Sequence, residues 1–122
     1  MPAIPPLVLK KLYVKGSLHV EDNGFALDLK NSIAPGIIAA FTGLDVDDQA
    51  IEVAQVTLTP FDGDPRAASD VSPEAPLPFP VGATITLRVA GQPLDPGPHE
   101  LAIHVIVQEV GPLDIPISDT LV

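Results

Sequence analysis

His99-Glu100-Leu101-Ala102-Ile103-His104-Val105-Ile106-Val107-Gln108-Glu109 is the stretch that decides the fold class. Leu101, Ile103, Val105 and Val107 share one parity, while Glu100, Ala102, His104 and Gln108 share the other. A repeat of two puts alternate side chains on opposite faces of a strand, whereas a helix needs apolar residues three and four apart. The stretch therefore predicts a strand with one buried face. On its N-terminal side, Gly91 to Pro98 is a cluster of turn formers, and before it Ala83 to Val89 alternates again. There Ile85, Leu87 and Val89 are expected inward, and Thr84, Thr86 and Arg88 outward. On the C-terminal side, Gly111-Pro112 breaks the pattern, and Leu113, Ile115 and Ile117 then alternate with Asp114, Pro116 and Ser118. Proline has no N–H to give a ladder, so this last strand is expected at a sheet edge.

Further upstream the same period recurs. Lys11 to Val20 reads as a first strand bent at Gly16, with Leu12, Val14, Leu18 and Val20 on one parity. Glu21-Asp22-Asn23-Gly24 follows, and Asn-Gly between alternating runs signals a tight hairpin because both positions accept positive φ. Phe25 to Lys30 is the return strand, with Phe25, Leu27 and Leu29 inward and Ala26, Asp28 and Lys30 outward. Asn31 to Gly36 reads as a turn, with Pro35-Gly36 suited to the centre of type II. Ile37 to Val46 is apolar on both parities, as in a central or kinked strand, and a short helix is the competing reading. Asp47-Asp48-Gln49 turns the chain into Ala50 to Thr59, where Val53 is out of step with Val56 and Leu58 and suggests a bulge.

Seven or eight short strands with turn signals every 8 to 12 residues predict one antiparallel β-sandwich over residues 1–122, immunoglobulin-like or jelly-roll-like. Pro60 to Pro80 interrupts it. These twenty-one residues hold six prolines and Arg66, with only Phe61, Val71, Leu77 and Phe79 as larger apolar groups. A loop of this length inside a compact domain is either functional or a surface excursion. Phe61 and Phe79 are expected to tack it down.

Composition narrows the function. Sixteen acids against six Lys and Arg give a formal net charge of −10. Nucleic acid and anionic membranes need concentrated cations, so neither is an expected partner. The acidity itself needs no role beyond solubility. Cysteine is absent, which removes disulfides, thiolate metal sites and thiol nucleophiles and favours the cytoplasm. Lys10 and Lys11 follow the apolar start instead of preceding it, unlike a secretory signal, and no run approaches a membrane span. Fifteen prolines, about 12% against an average of about 5%, mark edges and connections.

Chemistry is sparse. His19, His99 and His104 lie apart, without the spacing of a metal site within one element. Each reads as a half-exposed strand residue. Asp45, Asp47 and Asp48 cluster, but aspartates in a turn are expected for turn geometry alone, and the glycine and glutamate of a calcium loop are missing. There is no nucleophile elbow, Ser-x-x-Lys, phosphate loop or dinucleotide glycine motif. Trp is absent and Tyr13 is the only tyrosine, which argues against a sugar-stacking module.

The order of several short motifs resembles one family. Gly24-Phe25-x-x-x-Leu29-Lys30-Asn31, Gly43-Leu44-Asp45-Val46-Asp47, Leu94-x-Pro96-Gly97-x-His99-x-Leu101-x-Ile103 and Ile117-Ser118-Asp119 are similar to the small β subunits of bacterial C-glycoside deglycosidases. The resemblance implies a non-catalytic subunit of a carbohydrate-active lyase acting on 3-oxo-glucosides. It implies a larger α subunit, a sugar isomerase-like barrel that would hold a divalent metal such as Mn and the catalytic groups. No catalytic, cofactor or metal residue transfers to this chain. Residues offered as the partner interface are Phe61, Arg66, Phe79, His104 and Ile106, with Val110 beside Ala102 adding apolar surface on the outer parity. The competing readings are an immunoglobulin-like binding or adhesion module, against which a start Met and natural-looking ends weigh, and an independent small enzyme, for which no constellation is visible.

Overall fold

The computed structural model describes residues 5–61, 63–91 and 94–121. The readings made above for Met1–Ile4 and for Asp62, Gln92 and Pro93 lie outside those residues. A helical turn α1 (Pro6–Leu9) and a 3-10 turn (Lys10–Leu12) lead into ten strands. In chain order these are β1 (His19–Glu21), β2 (Gly24–Lys30), β3 (Gly36–Val46), β4 (Gln49–Ile51), β5 (Val56–Pro60), β6 (Arg66–Ala67), β7 (Leu77–Phe79), β8 (Thr84–Val89), β9 (Gly97–Val107) and β10 (Gly111–Leu121).

The first sheet runs β1-β2-β8-β5-β6 and the second β10-β9-β3-β4, with β7 pairing the start of β3. Every paired strand is antiparallel, as in the expected sandwich. The inward parities fill one core between the sheets. Leu27, Leu87 and Ile103 are each 0% exposed, and burying such a side chain stabilises by about 1.5–3 kcal/mol. β10 is the edge strand that Pro116 required, and Pro112 lies in it too. No helix of the described residues is long and apolar enough to cross a membrane.

Local geometry departs from expectation where turns are involved. Lys11 to Val20 is not one strand: the 3-10 turn takes its start, Gly16 bends it at φ +86°, and β1 begins only at His19. In the β1–β2 hairpin Glu21 pairs with Gly24, so Asp22 and Asn23 form the turn and Asp22 carries the positive φ of 47°. Gly24 is required for another reason. A Cβ there would lie 1.8 Å from the Val89 carbonyl oxygen, because β8 ends against it. Ala26, expected outward, is 0% exposed, flanked in register by His19 and Arg88.

Asn31, and not Pro35-Gly36, organises the next turn. Its Nδ2 donates to the Ala34 and Phe79 carbonyls at 2.7 Å, and its Oδ1 accepts from the Ile33 N–H at 3.1 Å. Gly36 is already inside β3. β3 is a strand and not a helix, and two register shifts against β9 explain why both of its parities are apolar. The Ala50–Thr59 segment is divided between the sheets by a 3-10 turn, Val53–Gln55, where a bulge was expected.

Pro60 to Pro80 is built, not loose. Among its described residues it supplies β6, a 3-10 turn (Ala68–Asp70) and β7. Ala68, Val71, Leu77 and Phe79 anchor it, whereas Phe61 stands 89% exposed and tacks down nothing.

Candidate functional site

Three regions of the surface carry chemistry. The first is the outer face of the second sheet. His104 projects from the middle of β9, with Asp45 of β3 on one side and Asp114 of β10 on the other. Its Nδ1 lies 2.6 Å from Asp114 and its Nε2 2.9 Å from Asp45. Register places the three side by side: His104 pairs with Asp114 and with Gly43, two residues before Asp45. Gly43 has a packing reason as well, since a Cβ there would touch the ring at 3.4 Å.

The other two histidines share this pattern. His99 Nδ1 meets Asp47 at 2.6 Å and its Nε2 meets the Asp95 carbonyl at 2.7 Å. His19 sits between the Ser17 carbonyl at 2.7 Å and Glu21 at 3.0 Å. All three imidazoles are held above their ordinary pKa. For His104 the causes are Asp114 and then Asp45; for His99, the Asp95 carbonyl and then Asp47; for His19, the Ser17 carbonyl and then Glu21. Asp47 is held below the usual carboxylate range by the Glu100 N–H and by His99. Asp47 and Asp48 both adopt positive φ, 49° and 68°, and form the β3–β4 hairpin turn expected of the cluster, whereas Asp45 lies in β3 and faces His104.

At His104 the arrangement suits a proton on each ring nitrogen. The carboxylates flank opposite nitrogens of one ring, so their oxygens cannot converge on a shared cation. No group of three or more potential ligands positioned for a metal ion occurs among the described residues.

The second region is the proline-rich end. Phe61 and Val81, 89% and 55% exposed, stand there. A cleft of about 540 Å³ is lined by Phe61, Pro60, Pro78, Pro80 and Lys30 among others. Arg66, offered as an interface residue, turns inward on its own segment and donates to the Pro76, Ala75 and Asp70 carbonyls. Phe79 is a core residue, 7% exposed, because β7 presents it to the sandwich interior. Ile106 is half-buried on the outer face of β9 opposite Pro112, on the face that carries His104.

The third region is an apolar groove of about 180 Å³ between Leu9 and Leu12, the Ile33–Pro35 turn, and Val107, Val110 and Leu113. Asn31 lies at this groove with its side chain fully bonded. Sequence reasoning had no signal for it, since its walls come from four separate segments.

No curated protein matches the chain. A family model described as hydroxymethylglutaryl-CoA reductase, N-terminal domain, matches residues 8–122. This match overturns the resemblance to C-glycoside deglycosidase β subunits, along with the carbohydrate lyase and the sugar isomerase-like partner barrel. The adhesion-module reading is unsupported as well. The motifs behind the resemblance have local explanations: Gly24 admits the Val89 carbonyl, Gly43 admits the His104 ring, Asp47 makes a turn, and Gly97 opens β9 at φ +125°. Such residues report a sandwich and not a lineage. With all but its first seven residues matched, the chain belongs to the family of hydroxymethylglutaryl-CoA reductase N-terminal domains.

Proposed function

We propose that residues 1–122 act as one non-catalytic sandwich domain of a hydroxymethylglutaryl-CoA reductase, docking against the catalytic part of that enzyme through the proline-rich end. The observation that carries this reading is Phe61, an aromatic side chain 89% exposed beside a cleft in a protein whose other phenylalanines are buried. Large apolar groups held in water mark contact surfaces when they cluster, and Val81 and the prolines extend this one. The frame beneath is stiff, with proline-fixed backbone and Arg66 tying Asp70, Ala75 and Pro76 together, so little order is lost on docking. The histidines and acids described above lie outside the cleft lining, where Lys30 is the charged residue among the described residues. We assign the chain no metal or cofactor of its own, and the absence of cysteine supports a cytoplasmic setting.

The test is a purified-component assay. The chain alone should leave hydroxymethylglutaryl-CoA unreduced. It should bind the catalytic part of the reductase from the same source in calorimetry. Phe61→Asp should weaken that binding about tenfold, or about 1.4 kcal/mol. Reduction by the chain alone, or unchanged binding by Phe61→Asp, would refute the proposal.

A further inference from the structure

We infer that the second sheet is proton-tuned: protonated His104 staples β3 and β10 to β9, and loss of that proton weakens the hold on the first half of β10. Donor counting carries the inference. An ionised carboxylate only accepts hydrogen bonds, and a neutral imidazole has one N–H while an imidazolium has two. Both ring nitrogens of His104 face carboxylate oxygens, Asp114 at 2.6 Å and Asp45 at 2.9 Å. The arrangement is satisfied only with a proton on each nitrogen. Once one leaves to solvent, a single N–H is shared between two carboxylates by tautomer exchange, so each strand, β10 included, is tied only part of the time.

Within the sheet no lysine or arginine can take over the charge; Lys10, Lys11 and Lys15 belong to the N-terminal segment packed on β10 near Asp119. β3, β4, β7, β9 and β10 contain no Lys or Arg, so His99 and His104 are the basic side chains of this sheet. The charged groups on the His104 face are Asp45 from β3, Asp114 from β10 and, one turn of the pleat beyond Ala102 on β9 itself, Glu100. β4 places uncharged Ala50 opposite Asp45. The raised pKa of His104 agrees in direction. Its contribution to stability is complete below the unfolded value of about 6.5 and is lost as pH rises through the folded value.

β10 has a second fastener that does not titrate in this range. Asp119 accepts from the Tyr13 hydroxyl and, at 2.8 Å, from the Gly16 N–H. Asp119 is held below the usual carboxylate range, first by Tyr13, and the tyrosine is held above its own ordinary value by burial and then by Asp119. Weakening is therefore confined to the Asp114 half, which gives the strand its own control.

The experiment is NMR on the full chain. Ring nitrogen shifts should show His104 doubly protonated at about pH 6. Amide protection at Leu113 and Ile115, corrected for intrinsic exchange, should fall about tenfold between about pH 6 and about pH 9. Protection at Asp119 and Leu121 should hold. Asp114→Asn, at a side chain 79% exposed and so without cost to the core, should abolish the fall. A neutral ring at the lower pH, equal protection at both, or a fall that persists in Asp114→Asn would overturn the inference.

Discussion

The outer faces of the two sheets solve the same problem with different cations. On the first sheet Arg88 Nε donates to Glu21 at 3.0 Å, and the Thr86 hydroxyl donates to Asp28 at 2.8 Å. Arginine keeps its charge at any ordinary pH. On the second sheet His104 does the pairing, between two carboxylates and over a floor of Gly43, Ala102 and Pro116. The first face is held by a fixed charge, with the more exposed His19 at its rim, and the second by a titratable one alone. The difference teaches that net charge alone, −10 with neutral histidines, hides where the charge can change.

The largest effect separates the two faces by space. Gly24→Ala should cost about 3 kcal/mol or more in urea unfolding, because backbone must move away from a Cβ that would sit 1.8 Å from the Val89 oxygen. Gly43→Ala should cost about 1 kcal/mol or less, since its neighbour at 3.4 Å is a side chain that can shift. Equal costs would remove the distinction between a backbone contact on the first sheet and a ring contact on the second.

Next comes pH. Global stability should decline as pH rises through the folded pKa values of the three histidines, all of which lie above the ordinary value. His104→Gln should remove on the order of 1 kcal/mol of that dependence. His19→Gln should remove less, since the His19 side chain is 52% exposed and that of His104 30%. Denaturant midpoints measured across the neutral range read both. A larger loss from His19 would place the sensitive face on the wrong sheet.

The smallest effect is expected at Arg88. Arg88→Gln should change stability by about 0.5 kcal/mol or less, less so at high salt, and should alter pH dependence only on the acid side, where Glu21 loses part of what holds its pKa down. Thermal melts at low and high ionic strength would reveal it.

Strands were legible where alternation is clean, as at Phe25–Lys30, Ala83–Val89 and His99–Glu109. The Asp47-Asp48 turn was legible too, but the centre of the first hairpin was not, because Asp22 rather than Gly24 took the positive φ. The role of Asn31 was hidden because its acceptor at Phe79 is 48 residues away. The histidine clamps were invisible for the same cause: Asp45 and Asp114 stand 59 and 10 residues from His104, and only strand register brings them together. Phe61 was read as an anchor because aromatic residues in a loop usually fold inward, and nothing local in its sequence says otherwise. Short motifs misled on family because turn and bulge residues recur in unrelated sandwiches.

The two prolines of β10 have a consequence for how copies of this chain meet. An eleven-residue strand at the rim of a sheet is a template on which another chain can add and start a growing stack. Pro112 and Pro116 offer no N–H to an incoming strand, and Asp114 between them sets a charge beside it. The rim of this sheet is thus a poor template for strand addition, and the protection is written into the backbone itself.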